Sequence, residues 1–160
     1  MIQAITENAF VIYVQTEDNR INTSVASTQI RHLIKFTNDL DKSVHYAYGD
    51  TETIKDRYTQ IGIFYNIVPN IFEGKTKLFP AGYWKYEVYE VSWVGTVTVS
   101  HGYAPINEDE VLSPAANDKG VVQGLVTKGK MYLAEKDGTQ QVRYKQREAP
   151  TETNYIYYGQ

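Results

Sequence analysis

Apolar and polar residues alternate along several short segments of this chain, with the period of a β-strand that has one buried face. Residues 9–15 (AFVIYVQ) are almost continuously apolar, and residues 30–36, 44–48 and 61–67 alternate. Turn-forming residues separate these segments, and no stretch keeps the longer period of an amphipathic helix. Short strands at such spacing are typical of a β-sandwich. The sequence therefore predicts an all-β protein.

The segment FPAGYWKYEVYEVSW, residues 79–93, indicates which sandwich this is. Alternation places Trp84, Tyr86 and Val88 on one face, which we expect to be core. The spacing Gly82-x-Trp84-x-Tyr86 is that of the signature opening strand F of an immunoglobulin (Ig) domain, with Trp84 at the position of the corner tyrosine and Tyr86 in place of the cysteine. Because the chain has no cysteine, these rings are expected to replace the disulfide by packing. An Ig-like β-sandwich is predicted for residues 1–100.

The opposite face of the same segment carries Tyr83 and Tyr89 and continues to Trp93. Three interpretations are open for these rings. They form rigid contacts for a protein partner, they form a stacking platform for carbohydrate, or the following loop covers them. The protein-contact interpretation is favoured over carbohydrate, because neither nearby acidic run has the ligand spacing of a calcium loop.

A second unit is predicted after the sandwich. Residues 101–120 are rich in proline, asparagine, acidic residues and glycine without a period, and are expected to be a linker. Residues 121–160 are predicted to form a C-terminal β-hairpin arm or small β-subdomain, because Asp137-Gly138 favours a type I′ turn. A hairpin of two strands is marginal alone, so we expect it to dock on its own sandwich or on a neighbouring molecule.

The hairpin register predicts a basic face. A two-residue turn sets Tyr132 opposite Arg143, Lys130 opposite Lys145 and Lys128 opposite Arg147, and like charges at opposite positions destabilise a ribbon. The face is a solvated edge, a surface for an acidic partner, or, less favoured, a nucleic-acid contact. The acidic run at 107–110, in the same or a neighbouring subunit, is one complement. The predicted partner-binding residues are Lys128, Lys130, Tyr132, Arg143, Lys145, Arg147, Tyr83, Tyr89 and Trp93.

Charge and motifs argue against several classes of function. The net charge of −3 argues against a dedicated binder of nucleic acid or of anionic membranes. We find no leader-like start and no apolar run near the ~20 residues that span a bilayer. No nucleophile elbow, phosphate loop or dinucleotide fingerprint is found, and the three histidines lack zinc-site spacing. We expect no enzyme activity, no cofactor and no metal, with His32 as a hydrogen-bonded core residue.

Short motifs nevertheless resemble a known family, the auxiliary capsid proteins of crAss-like and related tailed bacteriophages of Bacteroidota. The motifs are AFVIYVQT at 9–16, LIKFTND at 33–39, RYT at 57–59, GYWKYEVYE at 82–90 and GKMYL at 129–133. The resemblance implies a non-enzymatic virion protein, made in the host bacterial cytoplasm, that decorates or cements the outer surface of the major capsid lattice. Its partners would be the major capsid protein or other virion proteins, with self-association as a further option. The alternatives are a tail or head-tail structural protein and a carbohydrate-binding module for host attachment.

Overall fold

The computed structural model describes residues 1–112 and 118–137, and these residues are almost entirely strands and connecting turns. Two short 3₁₀ turns, Ser27–Gln29 and Ile71–Glu73, interrupt the strands. The strands are β1 (Ile2–Ile5), β2 (Phe10–Val14), β3 (Ile30–Asn38), β4 (Val44–Tyr48), β5 (Thr51–Ile54), β6 (Thr59–Tyr65), β7 (Lys75–Thr76), β8 (Gly82–Ser92) and β9 (Val121–Ala134). Within these described ranges, no helix has the length and apolar character needed to cross a membrane.

The strands form two sheets. The larger sheet has five strands in the order β1-β9-β8-β3-β4, and the smaller sheet has the order β2-β6-β5 with β7 added to β6. Strand β1 runs parallel to β9, whereas β9, β8, β3 and β4 are successively antiparallel. In an Ig domain, strands C, F and G share one sheet and strands B, E and D the other. Here β3, β8 and β9 take the places of strands C, F and G, and β2, β6 and β5 those of strands B, E and D. This arrangement confirms the predicted all-β, Ig-like sandwich.

The core lies between the two sheets and contains the predicted face of β8. Trp84 and Val88 from β8 and Ile61 and Ile63 from β6 are all fully buried in it. The Trp84 indole Nε1 donates a hydrogen bond to the Pro80 carbonyl oxygen at 3.0 Å. This bond to upstream backbone is the one made by the corner tyrosine of Ig domains, so Trp84 occupies the predicted corner position.

A second apolar cluster covers part of the outer face of the larger sheet, the face directed away from the smaller sheet. Its buried residues are Leu33, Tyr48, Val91, Trp93 and Ala104. The chain after β8 runs back across this face, and the Tyr48 hydroxyl donates to a backbone carbonyl at residue 105, at 2.7 Å. Ala104 of the predicted linker, together with Val97 and Val99 before it, packs in this cluster, so the first part of the predicted linker lies against the sheet.

Strand β9 lies inside the larger sheet, and this corrects the predicted hairpin. Met131 pairs with Trp84 of β8 and with Ile2 of β1, and Leu133 pairs with residues of the same two strands. Both edges are thus occupied, so neither residue is left to pair with the other arm of the predicted hairpin. Residues 121–134 belong to the sandwich. Positions 138–160, with the rest of the predicted arm, lie outside the described residues.

Candidate protein-binding face

The exposed part of the outer face brings together several of the predicted contact residues. Neighbouring strands β8 and β9 set Tyr83 opposite Tyr132 and Lys85 opposite Lys130, and Lys128 follows opposite Glu87. We call Tyr83, Lys85, Lys128, Lys130 and Tyr132 the open face. The sequence predicted four of these as contact residues and missed Lys85, although alternation along β8 already placed it beside Tyr83.

An aromatic pair lies at one end of the open face. The ring centroids of Tyr83 and Tyr132 are 5.1 Å apart and the ring planes are tilted by 54°, which is a favourable arrangement for aromatic rings. Tyr83 is 57% exposed, so more than half of its surface is open to solvent. Tyrosine has few rotamers to lose on binding, and the pair fixes them further.

The rest of the open face is positively charged. The Lys85 ammonium lies 3.8 Å from the Asp39 carboxylate, and both groups are partly exposed. Within the described part of the chain, no ion pair is formed by Lys128 or Lys130. The sequence predicted a like-charge pair between Lys130 and Lys145, and the structure pairs Lys130 with Lys85 instead. An acidic partner would relieve this repulsion.

The other predicted contact residues do not lie on the open face. Trp93 has no exposed surface and lies in the second cluster, so the prediction that it is an exposed contact is wrong. Its strand face was predicted correctly, but the connection after β8 covers it. Tyr89 is partly buried against the same cluster. A sugar stacks on an open ring face, which Trp93 does not offer. Arg143, Lys145 and Arg147 lie outside the described residues.

The acidic run at 107–110 contacts basic and polar side chains of the sandwich through Glu108. The Glu108 carboxylate accepts hydrogen bonds from the Lys35 ammonium and, at 2.6 Å, from the Tyr46 hydroxyl. The hydrogen bond to Glu108 is the main cause that raises the pKa of Lys35 to about 12. Burial, and then the bond to Glu108, raise the pKa of Tyr46 to about 12. Burial of Glu108 opposes its ionisation, but the bonds from Lys35 and Tyr46 outweigh this and lower its pKa.

The hydrogen bonds from Lys35 and Tyr46 to Glu108 predict that the protein loses stability at alkaline pH. The pKa values of Tyr46 and Lys35 are higher in the folded than in the unfolded state. The stability that this contributes is therefore complete below their ordinary pKa values of 10.0 and 10.5. It is lost as the pH rises towards about 12. Tyr46→Phe removes one of the two titrations. We expect its free energy of unfolding to fall less steeply than that of the wild type over this range, as measured by urea denaturation at successive pH values.

A matched control is Leu40→Ala, since Leu40 is 83% exposed and does not titrate. This variant should follow the wild-type pH dependence. Tyr46→Phe should also lose about 1 kcal/mol near neutral pH, because a hydrogen bond to Glu108 is removed. Identical slopes for Tyr46→Phe and wild type would show that Glu108 does not hold Tyr46.

Buried ionisable groups lie between the two sheets, on β3, β5 and β8. His32 Nδ1 is 2.6 Å from the Glu52 carboxylate, and both side chains are 3% exposed. The Glu90 carboxylate accepts hydrogen bonds from the backbone N–H groups of Ile21 and Asn22 at 2.9 and 2.8 Å. His32 is thus the hydrogen-bonded core residue that the sequence predicted. Among the described residues, no group of three metal-ligating side chains is placed to hold a metal ion.

No protein-family model matches the chain, and no curated protein matches it. Among solved structures, a crystal structure of a proposed glycoside hydrolase from Bacteroides vulgatus ATCC 8482 resembles 86% of this chain, with 12% sequence identity and a TM-score of 0.35. The chain spans 17% of the length of that protein. A likeness this distant carries no argument about function.

Proposed function

We propose that this protein is a bacteriophage virion structural protein, an auxiliary capsid protein that decorates or cements the major capsid lattice through protein–protein contacts. The observation that carries the proposal is the open face, in which three lysines flank a pair of tyrosine rings on a rigid sheet. The partner that fits it is an acidic surface of the major capsid protein or of another virion protein.

The composition of the open face supports protein contact. Tyrosine supplies large contact area at low entropic cost, and its hydroxyl keeps a hydrogen bond when the ring is buried. The lysines steer an acidic partner during encounter and disfavour basic ones. A sheet held by strands on both sides presents these groups in fixed positions, so little order is lost on binding.

The position of the family motifs also supports the proposal. Residues 82–90 lie in β8 and residues 129–133 lie in β9. These are two of the segments that resemble the auxiliary capsid proteins, and they are also the strands that carry the open face. In a capsid lattice, many copies of an interface of roughly 800 Å² per partner would strengthen the shell without any single very tight site.

The test is incorporation into particles. In the double variant Lys85→Glu with Lys130→Glu, we expect the occupancy on purified virions to fall about tenfold, because two attractive contacts become repulsive. Quantitative mass spectrometry gives the copy number, and cryo-microscopy gives the position. The matched control, Lys55→Glu with Lys77→Glu, makes the same change of net charge at two exposed lysines away from the open face. It should be incorporated normally.

The outcomes separate the two parts of the proposal. Absence of the wild-type protein from particles would overturn the virion function itself. Normal occupancy of the Lys85→Glu, Lys130→Glu variant would leave a virion protein that binds through another surface. Density at the tail or at the head-tail junction would assign the protein to that structure instead of the capsid.

A further inference from the structure

A cleft opens at one end of the sandwich, where β1, β6 and β9 end and β8 begins. Its volume is about 230 Å³. Because β6 belongs to the smaller sheet and the other three strands belong to the larger one, the cleft lies between the two sheets. It is lined by Leu78 of the buried core, by Tyr65, and by Phe79, which is 58% exposed. We call it the end cleft; it leads from solvent to the apolar core.

The rim of the end cleft is polar. The Lys136 ammonium pairs with the Glu7 carboxylate at 3.1 Å, and the Lys136 backbone N–H donates a hydrogen bond to the Thr6 hydroxyl at 3.0 Å. These contacts join the turn after β1 to the chain after β9. An apolar wall within a polar rim matches a side chain that has an apolar body and a polar tip, as tyrosine has.

The size of the end cleft limits what it can hold. Sites for small molecules and cofactors usually enclose about 300–1,000 Å³, and the end cleft, at about 230 Å³, is smaller. A space of this size suits one or two side chains of a peptide segment better than a whole ligand. Covering the exposed ring of Phe79 and the adjoining core would also remove apolar surface from water.

The chain itself supplies a suitable segment. Asp137, the last residue of the described range, lines the end cleft, so the residues that follow it start at the cleft wall. Residues 139–154 are mostly polar or charged, whereas residues 155–158 (YIYY) are consecutive large apolar side chains. The tyrosines of this run combine a ring with a hydroxyl, which is the combination that the walls and rim of the end cleft fit.

We propose that residues 155–158 dock in the end cleft of their own chain, with a tyrosine ring against Leu78 and Phe79. The connection from Asp137 can span roughly 60 Å, at about 3.3 Å per residue, so it is long enough to turn back to its starting point. The cost of closing such a loop rises only with the logarithm of its length. The tether gives the run an effective concentration on the order of millimolar, whereas a separate molecule, including a second copy, meets the cleft only at its own concentration.

Docking would bring the predicted basic contact residues back to the open face. Ala81, which lines the end cleft, is two residues before Tyr83 of the open face. With both ends of the connection held at the cleft, Arg143, Lys145 and Arg147 are kept within about 30 Å of it. Their charges would add to the attraction that the lysines of the open face exert on an acidic partner. This consequence rests on the proposed function, whereas the docking itself does not.

Disulfide cross-linking tests the docking, because the chain has no cysteine of its own. Two cysteines can be bridged only when their α-carbons come within about 7 Å. In the full chain with Ala81→Cys and Tyr157→Cys, we expect a disulfide within one chain to form at least about tenfold faster than in the control pair described next. Non-reducing gel electrophoresis and mass spectrometry of tryptic peptides distinguish cross-links within one chain from cross-links between copies.

The matched control is Ala26→Cys with Tyr157→Cys, which makes the same two kinds of change. Ala26 is exposed and lies shortly before Ile30, which is aligned with Ser92, the last residue of β8. Ala81 precedes the first residue of the same strand. The two alanines therefore lie near opposite ends of a strand that spans roughly 35 Å, and docking in the end cleft favours only the pair with Ala81.

A second comparison tests whether the rings cause the docking. In the Ala81→Cys, Tyr157→Cys chain, replacing Tyr155 and Tyr158 with serine should slow the cross-link about tenfold, because the buried apolar surface is lost. Replacing Thr151 and Thr153 with serine alters two residues just upstream and should leave the rate unchanged.

Each unfavourable result overturns the docking. Equal rates for the Ala81 and Ala26 pairs would do so, including the case where a glycan or another protein fills the end cleft. A disulfide that forms between two chains and not within one would overturn docking in the same chain. A rate that is unaffected by loss of the Tyr155 and Tyr158 rings would also overturn it. Circular dichroism establishes that each variant is folded. The particle-incorporation test of the open face is independent of all these results.

Discussion

Replacing Trp93 with alanine is expected to lower the free energy of unfolding by about 3–5 kcal/mol, the usual cost of deleting a fully buried large ring. The Trp93 ring has no exposed surface. It lies so close to Gly120 that a side-chain carbon at position 120 would come within 2.6 Å of it. The surroundings cannot collapse into the vacated space without moving the connection that covers it. Denaturation in guanidinium chloride measures the loss.

The control for this prediction is Tyr83→Ala. Tyr83 is on β8, the strand that ends just before Trp93, and on the same outer face, but it is 57% exposed, so we expect a loss of about 1 kcal/mol or less. The two variants should also differ in kind, with Tyr83→Ala reducing incorporation into particles while leaving the fold intact. A small stability loss for Trp93→Ala, equal to that of Tyr83→Ala, would show that Trp93 is a surface residue after all.

Replacing Glu52 with alanine is expected to cost about 3 kcal/mol, because it leaves the buried His32 ring without its hydrogen-bond partner. Glu52 also accepts a hydrogen bond from the His32 backbone N–H at 3.2 Å, so two donors lose their acceptor together. Glu52 is on β5 and His32 on β3, and the pair therefore joins the two sheets. Thermal and urea unfolding of the variant measure the loss.

Two comparisons make this prediction specific. Thr53→Ala changes the next residue of β5, which is exposed, and should cost less than about 0.5 kcal/mol. Replacing His32 and Glu52 together with leucine should recover much of the loss, because no buried polar group then lacks a partner. A Glu52→Ala variant as stable as Thr53→Ala would rule out a buried contact between His32 and Glu52.

The regular parts of the fold could be predicted from local pattern alone. Period-two alternation located β2, β3, β4, β6 and the faces of β8, because a sheet with one buried side imposes that period on its residues, whereas the short strands β1, β5 and β7 were not predicted. The corner position of Trp84 followed from its spacing after Gly82. The exposure of Tyr83 and the burial of His32 followed from the faces on which their strands place them.

The long-range contacts could not be predicted in this way. Strand β9 pairs with β1, which is nearly the whole chain away, whereas the local Asp137-Gly138 turn signal favoured a hairpin. Burying Met131 and Leu133 in the sandwich outweighs that local preference. The covering of Trp93 depends on residues without any period, and the Lys35–Glu108 pair joins positions 73 residues apart. Neither leaves a local signal in the sequence.

The parallel pairing of β1 with β9 has a mechanical consequence. Ile2 is aligned with Met131 and Ile5 with Ala134, so the two strands run in the same direction side by side. A force that pulls Ile2 and Ala134 apart acts along the strand axes and loads the inter-strand hydrogen bonds in shear, so that they must break together and not one after another. The sandwich is thus built to resist stretching between these two points.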